Sequence, residues 1–265
     1  MRPPVYVMGD AHGYYDRIVG LLREVGLLNA QLRWSGDNST LVFMGDFFDR
    51  GPDGIGLVEL AMRLEKEARE ADGDVLGLLG NHEMCILGAY FFGKTHYSFD
   101  NWSGDFYSDW IQNGGRVMDL ERLTQKHIDW ICALPAMLLV DDRRFVHADA
   151  LLYYDYGKTA PDVNKAFRAL MRNRVAKEWD KALEGFSGRD AFGDGNPDGR
   201  ENALQFLAQY GGYQIVHGHT PIAKMTGQRY EHVREPLVYA GGVCINVDGG
   251  IHKGGPGFLY KMPPL

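Results

Sequence analysis

One local design, used five times, constrains this chain more than anything else in it. A short apolar run ends in glycine or a small residue, and acid, asparagine or histidine side chains follow at once. The segments are VMGDAHG (7–13), VFMGDFFDRG (42–51), LLGNHE (78–83), FVHAD (145–149) and IVHGHT (215–220). Apolar runs of this length bounded by turn residues predict buried strands. In α/β sheets, groups placed just past the carboxyl ends of strands converge on one crevice. Glycine lets the backbone turn sharply there. In the first segment Asp10 and His12 stand two apart. At that spacing an extended chain points both side chains the same way, so a carboxylate oxygen and an imidazole nitrogen can grip one cation. A single such pair would mean little. Asp-x-His in a loop usually makes a turn, and Asn-His-Glu commonly starts a helix with a capping acid. Those explanations would have to hold separately at each place, and the series points to one shared metal site.

Between the motifs the periodicity alternates. Strands are predicted at 4–9, 39–45 and 74–80, and helices at 15–27 and 55–71, with another opening at Asn81. Ile18, Leu21, Leu22 and Val25 mark one face of the first helix. This β-α-β-α-β order predicts an α/β fold with largely parallel pairing. Further on, 136–140 and 144–148 read as a hairpin around Asp141 and Asp142. Residues 161–183 read as helix and 187–202 as a Gly/Asp-rich loop. Strands return at 213–218, 236–240, 243–250 and 257–262, which predicts a second sheet packed on the first. No repeat or low-complexity linker divides the chain. One domain over 1–265 is expected, with an aromatic lid at about 89–115 and a helical insertion at about 155–200.

With 265 residues, 45% of them hydrophobic, the chain can bury one sizeable core. A formal net charge of −7 gives no general attraction to phosphate backbones and argues against nucleic-acid binding. A local positive site for a small anion stays open. Cys85, Cys132 and Cys244 are odd in number and form no CxxC, so they read as reduced thiols. No apolar leader precedes the first motif, and no run reaches the ~18 apolar residues of a membrane helix. A soluble, cytoplasmic protein without a membrane partner is the expectation.

The order GDxHG, GDxxDRG, GNHE, then HA and GHT resembles the phosphoprotein phosphatase family of binuclear metallophosphoesterases. The motifs run from residue 9 to 220, and CINVDGG (244–250) is similar to that family's closing strand. The bacterial and phage branch, with its serine/threonine protein phosphatases and diadenosine tetraphosphate hydrolases, is the most similar. The resemblance implies a four-layer α/β/β/α sandwich with a mixed double sheet and metals at one edge. It implies that Asp10 and His12 hold the first metal, that Asp46 bridges both, and that Asn81, His147 and His219 complete the second. His219 is chosen over His217 because the family ligand lies between Gly and Thr. Asp49, Arg50 and His82 match its non-ligand catalytic positions. A second arginine is required downstream; LMRNR (170–174) favours Arg174, with Arg172 as the alternative. Asp248 reads either as an acid beside the ligands or as a strand-end turn residue.

This set suits phosphate-ester hydrolysis. Two divalent ions offset charge on the phosphoryl, attacking and leaving oxygens, with a bridging hydroxide as the expected nucleophile. Only Asp10 and Asp46 among the proposed ligands are anionic, so two such ions leave a local surplus of positive charge for a phosphomonoester dianion. An oxygen and nitrogen set without sulfur fits Mn²⁺, Fe²⁺ or Zn²⁺ better than Ca²⁺ or copper(I), and Mn²⁺ is preferred. His82 follows ligand Asn81, so the two side chains diverge, and His82 is assigned as general acid with Asp49 orienting it. Arg50 offers a planar fork for phosphate oxygens. Phe91, Phe92, Tyr97, Phe99, Trp102, Tyr107 and Trp110 either wall the cleft or pack a helical lid. The first functional choice is a phosphatase of phosphoserine and phosphothreonine proteins or peptides, with phosphotyrosine also considered. Hydrolysis of dinucleoside polyphosphates is the alternative, and a metal-loaded regulatory protein without turnover is a third.

Overall fold

The structure is a computed structural model that describes residues 2–264. Strands β1 (Val5–Met8), β2 (Thr40–Phe43) and β3 (Asp74–Gly77) pair in parallel, as the alternation with helices predicts. The connecting helices are α1 (Tyr15–Glu24) and α2 (Gly54–Glu70), and α3 (Asn81–Phe92) leaves the end of β3. Asp53 caps α2 by accepting from Gly56 N at 2.9 Å. The aromatic segment then forms a small hairpin, β4 (Tyr97–Ser98) with β5 (Ser103–Gly104), followed by α4 (Phe106–Gln112), α5 (Val117–Arg122) and α6 (Gln125–Ile131).

The second sheet begins with the expected hairpin, β6 (Met137–Val140) and β7 (Arg143–Val146). Helices α7 (Ala160–Leu170), α8 (Ala176–Phe186) and α9 (Gly199–Tyr210) follow. The chain returns through β8 (Gln214–His217), α10 (Ile222–Thr226), β9 (Leu237–Tyr239), β10 (Cys244–Asn246) and β11 (Leu259–Lys261). The strand order is β11-β1-β2-β3 in the first sheet and β6-β7-β8-β10-β9 in the second. Here β7, β8 and β10 are parallel, and β6 and β9 close the edges antiparallel.

Strand periodicity builds the layers. Val5, Val7, Val42, Phe145, Val216 and Ile245 point between the sheets and share one buried cluster. Their sequence neighbours Leu41, Phe43, Ile215 and Cys244 belong to the cluster packed under the helices. With α2 on β3, α7 on β6 and α9 on β8, this is the expected four-layer α/β/β/α sandwich with a mixed double sheet.

Four local expectations change. The helix read at 161–183 is two, because Asn173 Oδ1 accepts from Val175 N at 3.0 Å and from Trp179 Nε1 at 3.2 Å, offering the backbone a turn in place of the helix. Helix α9 begins inside the Gly/Asp-rich stretch; Ala203, Phe206, Leu207 and Tyr210 form its buried face. Strand β11 does not join the second sheet but runs antiparallel to β1 and covers that strand's open edge. The lid is a hairpin with a short helix, not wholly helical. Among the described residues no helix is long and apolar enough to cross a membrane.

The sheets touch where β1 and β10 end. A Cβ on Gly9 would stand 2.2 Å from Val247 O. Gly9→Ala should therefore force the two strand ends apart and lower stability by about 1–3 kcal/mol, read as an earlier midpoint in denaturant. An unchanged midpoint would show that the contact yields at no cost.

Candidate active site

The parallel strands aim their carboxyl ends at one edge of the sandwich. Asp10 and His12 follow β1; Asp46, Asp49 and Arg50 follow β2; Asn81 and His82 open α3 after β3. From the second sheet come His147 after β7, His219 after β8 and Asp248 after β10. The loops are laced together: His12 N donates to Asp46 O at 2.7 Å, Gly51 N to His12 O at 2.8 Å, and Gly218 N to His147 O at 3.0 Å. Five non-glycine residues here, His12, Asp46, Asp49, Arg50 and His219, have φ between 44° and 70°. Such left-handed backbone is uncommon for side-chain-bearing residues and persists where the surroundings over-determine it.

Asp46 lies at the centre. Its Oδ2 is 3.7 Å from His12 Nε2 and 3.9 Å from His82 Nε2, and its Oδ1 is 3.4 Å from His147 Nε2. Two donor groups, His12/Asp46/His82 and Asp46/His147/His219, share this residue, with donor atoms in each group within 4.8 Å of one another. Asp10 Oδ2 approaches His12 Nε2 to 4.0 Å, and Asn81 Oδ1 is 3.1 Å from His147 Nε2. The six candidate ligands named from the motifs thus come together. His82 also falls within one donor group.

Hydrogen bonds fix which nitrogen faces inward. His12 Nδ1–H donates to Phe48 O at 3.1 Å and His147 Nδ1–H donates to Met44 O at 2.7 Å. Both rings therefore present an Nε2 lone pair, the arrangement that a carbonyl imposes on a metal-binding imidazole. His219 Nε2 is buried without a partner among the described residues. Burial holds His12 and His219 well below the usual histidine range, helped by His82 and Arg50 for the first and by His147 and Arg189 for the second; burial also lowers His147. Burial opposes the charge on Asp46, but His147, His82 and the His82 backbone N–H outweigh it and lower its pKa. Asp10 is pushed well above the carboxylate range by burial, then by Asp248 and Asp46. Crowded carboxylates, neutral imidazoles and the unpartnered His219 nitrogen make a donor set that fits divalent cations.

Beside this cluster, His82 Nδ1–H donates to Asp49 Oδ2 at 2.5 Å, and Trp110 Nε1–H donates to Asp49 Oδ1 at 2.7 Å. Burial works against a charged His82, yet Asp46 and Asp49 together raise its pKa above the ordinary value. The Arg50 guanidinium donates to His12 Nε2 at 2.5 Å and His252 Nε2 at 3.1 Å, and it lies 3.0 Å from His82 Nε2. Asp248 serves in both senses left open by the sequence. Its Oδ1 accepts from Gly250 N at 2.8 Å in a turn, while its buried Oδ2 has no partner, and burial pushes it up to about 6.

Arg174 is the exception. It is exposed, with its guanidinium 3.3 Å above the Phe91 ring and one nitrogen donating to Asn173 O. Phe91 is ten residues along α3 from Asn81, about 15 Å at the helical rise. Arg172 is exposed as well. Arg189 stands in the cleft instead, donating to His219 O at 2.6 Å and Thr220 Oγ1 at 3.1 Å. Asp149 secures that loop, accepting from Thr220 Oγ1 at 2.7 Å and Asp190 N at 2.8 Å. No local pattern marks Arg189; the fold alone brings it beside His219. His252 was also missed, and nothing in GGIHKGG signals it. Glu83 was read only as a capping acid. It caps α3 through Gly80 N at 2.9 Å and also accepts from Asp46 N and Phe47 N, both at 2.8 Å.

A cleft of about 420 Å³ opens over these groups. Trp102, Phe106 and Trp110 line it. Tyr97 and Phe99 stack on each other, Phe92 packs on Phe106, and Phe91 packs against Trp179. The aromatic segment is thus partly wall and partly packing.

Comparison with known proteins agrees with this geometry. Shewanella-like protein phosphatase 1 of Plasmodium berghei is 37% identical over 87 residues, 33% of this chain and 24% of that protein. Matches to the first curated relatives thus span about a quarter of their length. The asymmetrical bis(5'-nucleosyl)-tetraphosphatase PrpE of Halalkalibacterium halodurans is 24% identical over 265 residues, 98% of this chain and 90% of that protein. The crystal structure of a cold-active protein-tyrosine phosphatase from a psychrophilic Shewanella species superposes with a TM-score of 0.69 at 21% identity, covering 98% of this chain and 75% of that one. The model of the calcineurin-like phosphoesterase family matches residues 3–223, and with its strand-end donors gathered around Asp46 this chain belongs to that family of metallophosphoesterases.

Proposed function

We propose that this phosphatase-family chain hydrolyses phosphomonoesters on proteins or peptides, with phosphoserine and phosphothreonine as first substrates and phosphotyrosine as a further one. The observation that carries the reading is the shared aspartate with a histidine–aspartate pair beside it: two donor groups meet at Asp46, and His82, held by Asp49, stands within 4 Å of it. In this reading Asp10, His12 and Asp46 hold one divalent ion, and Asp46, Asn81, His147 and His219 hold a second, with Mn²⁺ preferred over iron or zinc. When bound, the ions supply charge stabilisation for the phosphoryl oxygens and acidify a water.

The chain's own residues do the rest. Asp49 and Trp110 fix the His82 ring so that its Nε2 faces the cleft. There it delivers a proton to the leaving oxygen, and its raised pKa keeps that proton available near neutrality. Arg50 and Arg189, both lining the cleft, grip phosphoryl oxygens; Arg189 takes the place first given to Arg174. The aromatic wall favours a second reading, in which a nucleobase of a dinucleoside polyphosphate stacks on the part-buried Trp102. A regulatory protein without turnover has less support, because His82–Asp49 and Arg189 would then have no task.

Comparing kcat/KM for a phosphopeptide panel and for diadenosine tetraphosphate, with Mn²⁺ added after chelation, tests the reading. Phosphopeptides should be the better substrates, and preference for the dinucleotide would overturn this choice. Asp46→Asn should lower metal content in both groups, weakening affinity by about 100-fold or more; two ions per chain in the variant would remove Asp46 as the shared ligand. His82→Asn should keep its metals while kcat on alkyl phosphates falls about 10²–10⁴-fold. Activated aryl phosphates, whose leaving oxygens need little protonation, should lose much less. Equal losses on both classes would rule out proton donation by His82.

A further inference from the structure

The cleft is electrically divided. Its floor carries Arg50, Arg189 and His82, and it also holds His219, whose buried Nε2 lacks a partner among the described residues. Its outer wall carries Asp109, Asp180 and Glu184. Asp180 and Glu184 are four residues apart on α8 and so share one helical face. Asp109 comes from α4, and both helices pack against α3. Asp109 accepts from Trp102 Nε1 at 2.5 Å and Glu184 from Asn101 Nδ2 at 3.4 Å, both neutral donors. Among the described residues no lysine, arginine or histidine nitrogen lies within 4 Å of the three carboxylates. The nearest lysines on α8 are paired elsewhere, Lys177 with Asp100 at 3.2 Å and Lys181 with Asp155 at 3.1 Å. Burial, then the charges of Glu184 and Asp109, hold the Asp180 carboxyl above its ordinary value, against the opposing charge of Lys177.

Resting on the phosphatase reading above, we infer that this rim selects phosphopeptides with lysine or arginine next to the phosphorylated residue and disfavours dinucleoside polyphosphates. A phosphoryl group seated on the floor places the neighbouring peptide side chains along the wall. A cationic neighbour meets carboxylates with no cationic partner there and the part-buried Trp102 ring, and aromatic rings attract guanidinium groups. In a dinucleoside polyphosphate the groups next to the bound phosphate are further phosphates, and these meet Asp109, Asp180 and Glu184. Such half-exposed pairs are modest, about two- to fivefold per basic residue. They weaken as the screening length falls from about 10 Å at 0.1 M salt to about 3 Å at 1 M.

The test uses one phosphopeptide in three versions, with arginine, alanine or glutamate flanking the phosphorylated residue, and diadenosine tetraphosphate. kcat/KM is measured for the Mn²⁺-loaded wild type, for Asp180→Asn with Glu184→Gln, and for Asp180→Lys with Glu184→Lys. Binding of non-hydrolysable phosphonate versions of the peptides gives a second readout. The wild type should rank arginine over alanine over glutamate, with the ratio shrinking as salt rises. The neutral double variant should bring the ratio towards one, and the lysine variant should invert it. Equal wild-type values for the three peptides, or a ratio that the substitutions leave unmoved, would overturn the rim while phosphopeptide turnover left the phosphatase reading standing. Faster turnover of the dinucleotide than of every peptide would overturn both.

Discussion

Everything at the candidate centre depends on Asp46 being held, fully buried, where the loops after β2 and β3 meet. The Glu83 carboxylate does this by accepting from Asp46 N, Phe47 N and Gly80 N together. Each of those N–H groups would cost about 1–3 kcal/mol if buried unpaired, so the two loops are tied as one unit. His82 N completes the tie by donating to Asp46 Oδ1 at 3.0 Å. There is no space for a side chain between them: a Cβ on Gly80 would stand 2.3 Å from that same oxygen. A carboxylate so fixed can serve donors from both sheets without moving.

The left-handed residues follow from the same lacing. His12 is held by its backbone bond to Asp46 O, Arg50 by its bond to Gly114 O at 2.7 Å, and His219 by its N–H on the Asp10 carboxylate at 3.1 Å. Each of these three is thus fixed by a different segment. The aromatic segment takes part as well, since Gly114 accepts from Arg50 N and the Trp110 indole anchors Asp49. What reads in sequence as a lid is bonded to the histidine–aspartate pair, through Asp49, and to Arg50 in the cleft.

Local electrostatics run against the bulk charge. The chain is acidic overall, yet neutral imidazoles and two arginines surround the place where a phosphoryl group would sit. Three acids, Asp109, Asp180 and Glu184, line the same cleft.

The strand-end motifs were legible because each is short. A strand, a glycine and the donors after it lie within ten residues, and periodicity and turn chemistry act over that range. Nearly every strand of both sheets and the gathering of Asp10, His12, Asp46, Asn81, His147 and His219 followed from them. Helix α9 was hidden by the Gly/Asp composition before it, although Ala203, Phe206, Leu207 and Tyr210 carry a helical period. Arg189, His252 and the bond from Trp110 to Asp49 carry no local mark. Asp10 and His219 meet across 209 residues, Arg50 and His252 across 202. The sequence by itself determined which segments become strands and which donors stand at their ends. Only the tertiary structure decided which arginine stands in the cleft beside His219, which sheet takes β11 and where the acids of the cleft lie, because those outcomes depend on packing between distant segments that no local pattern encodes.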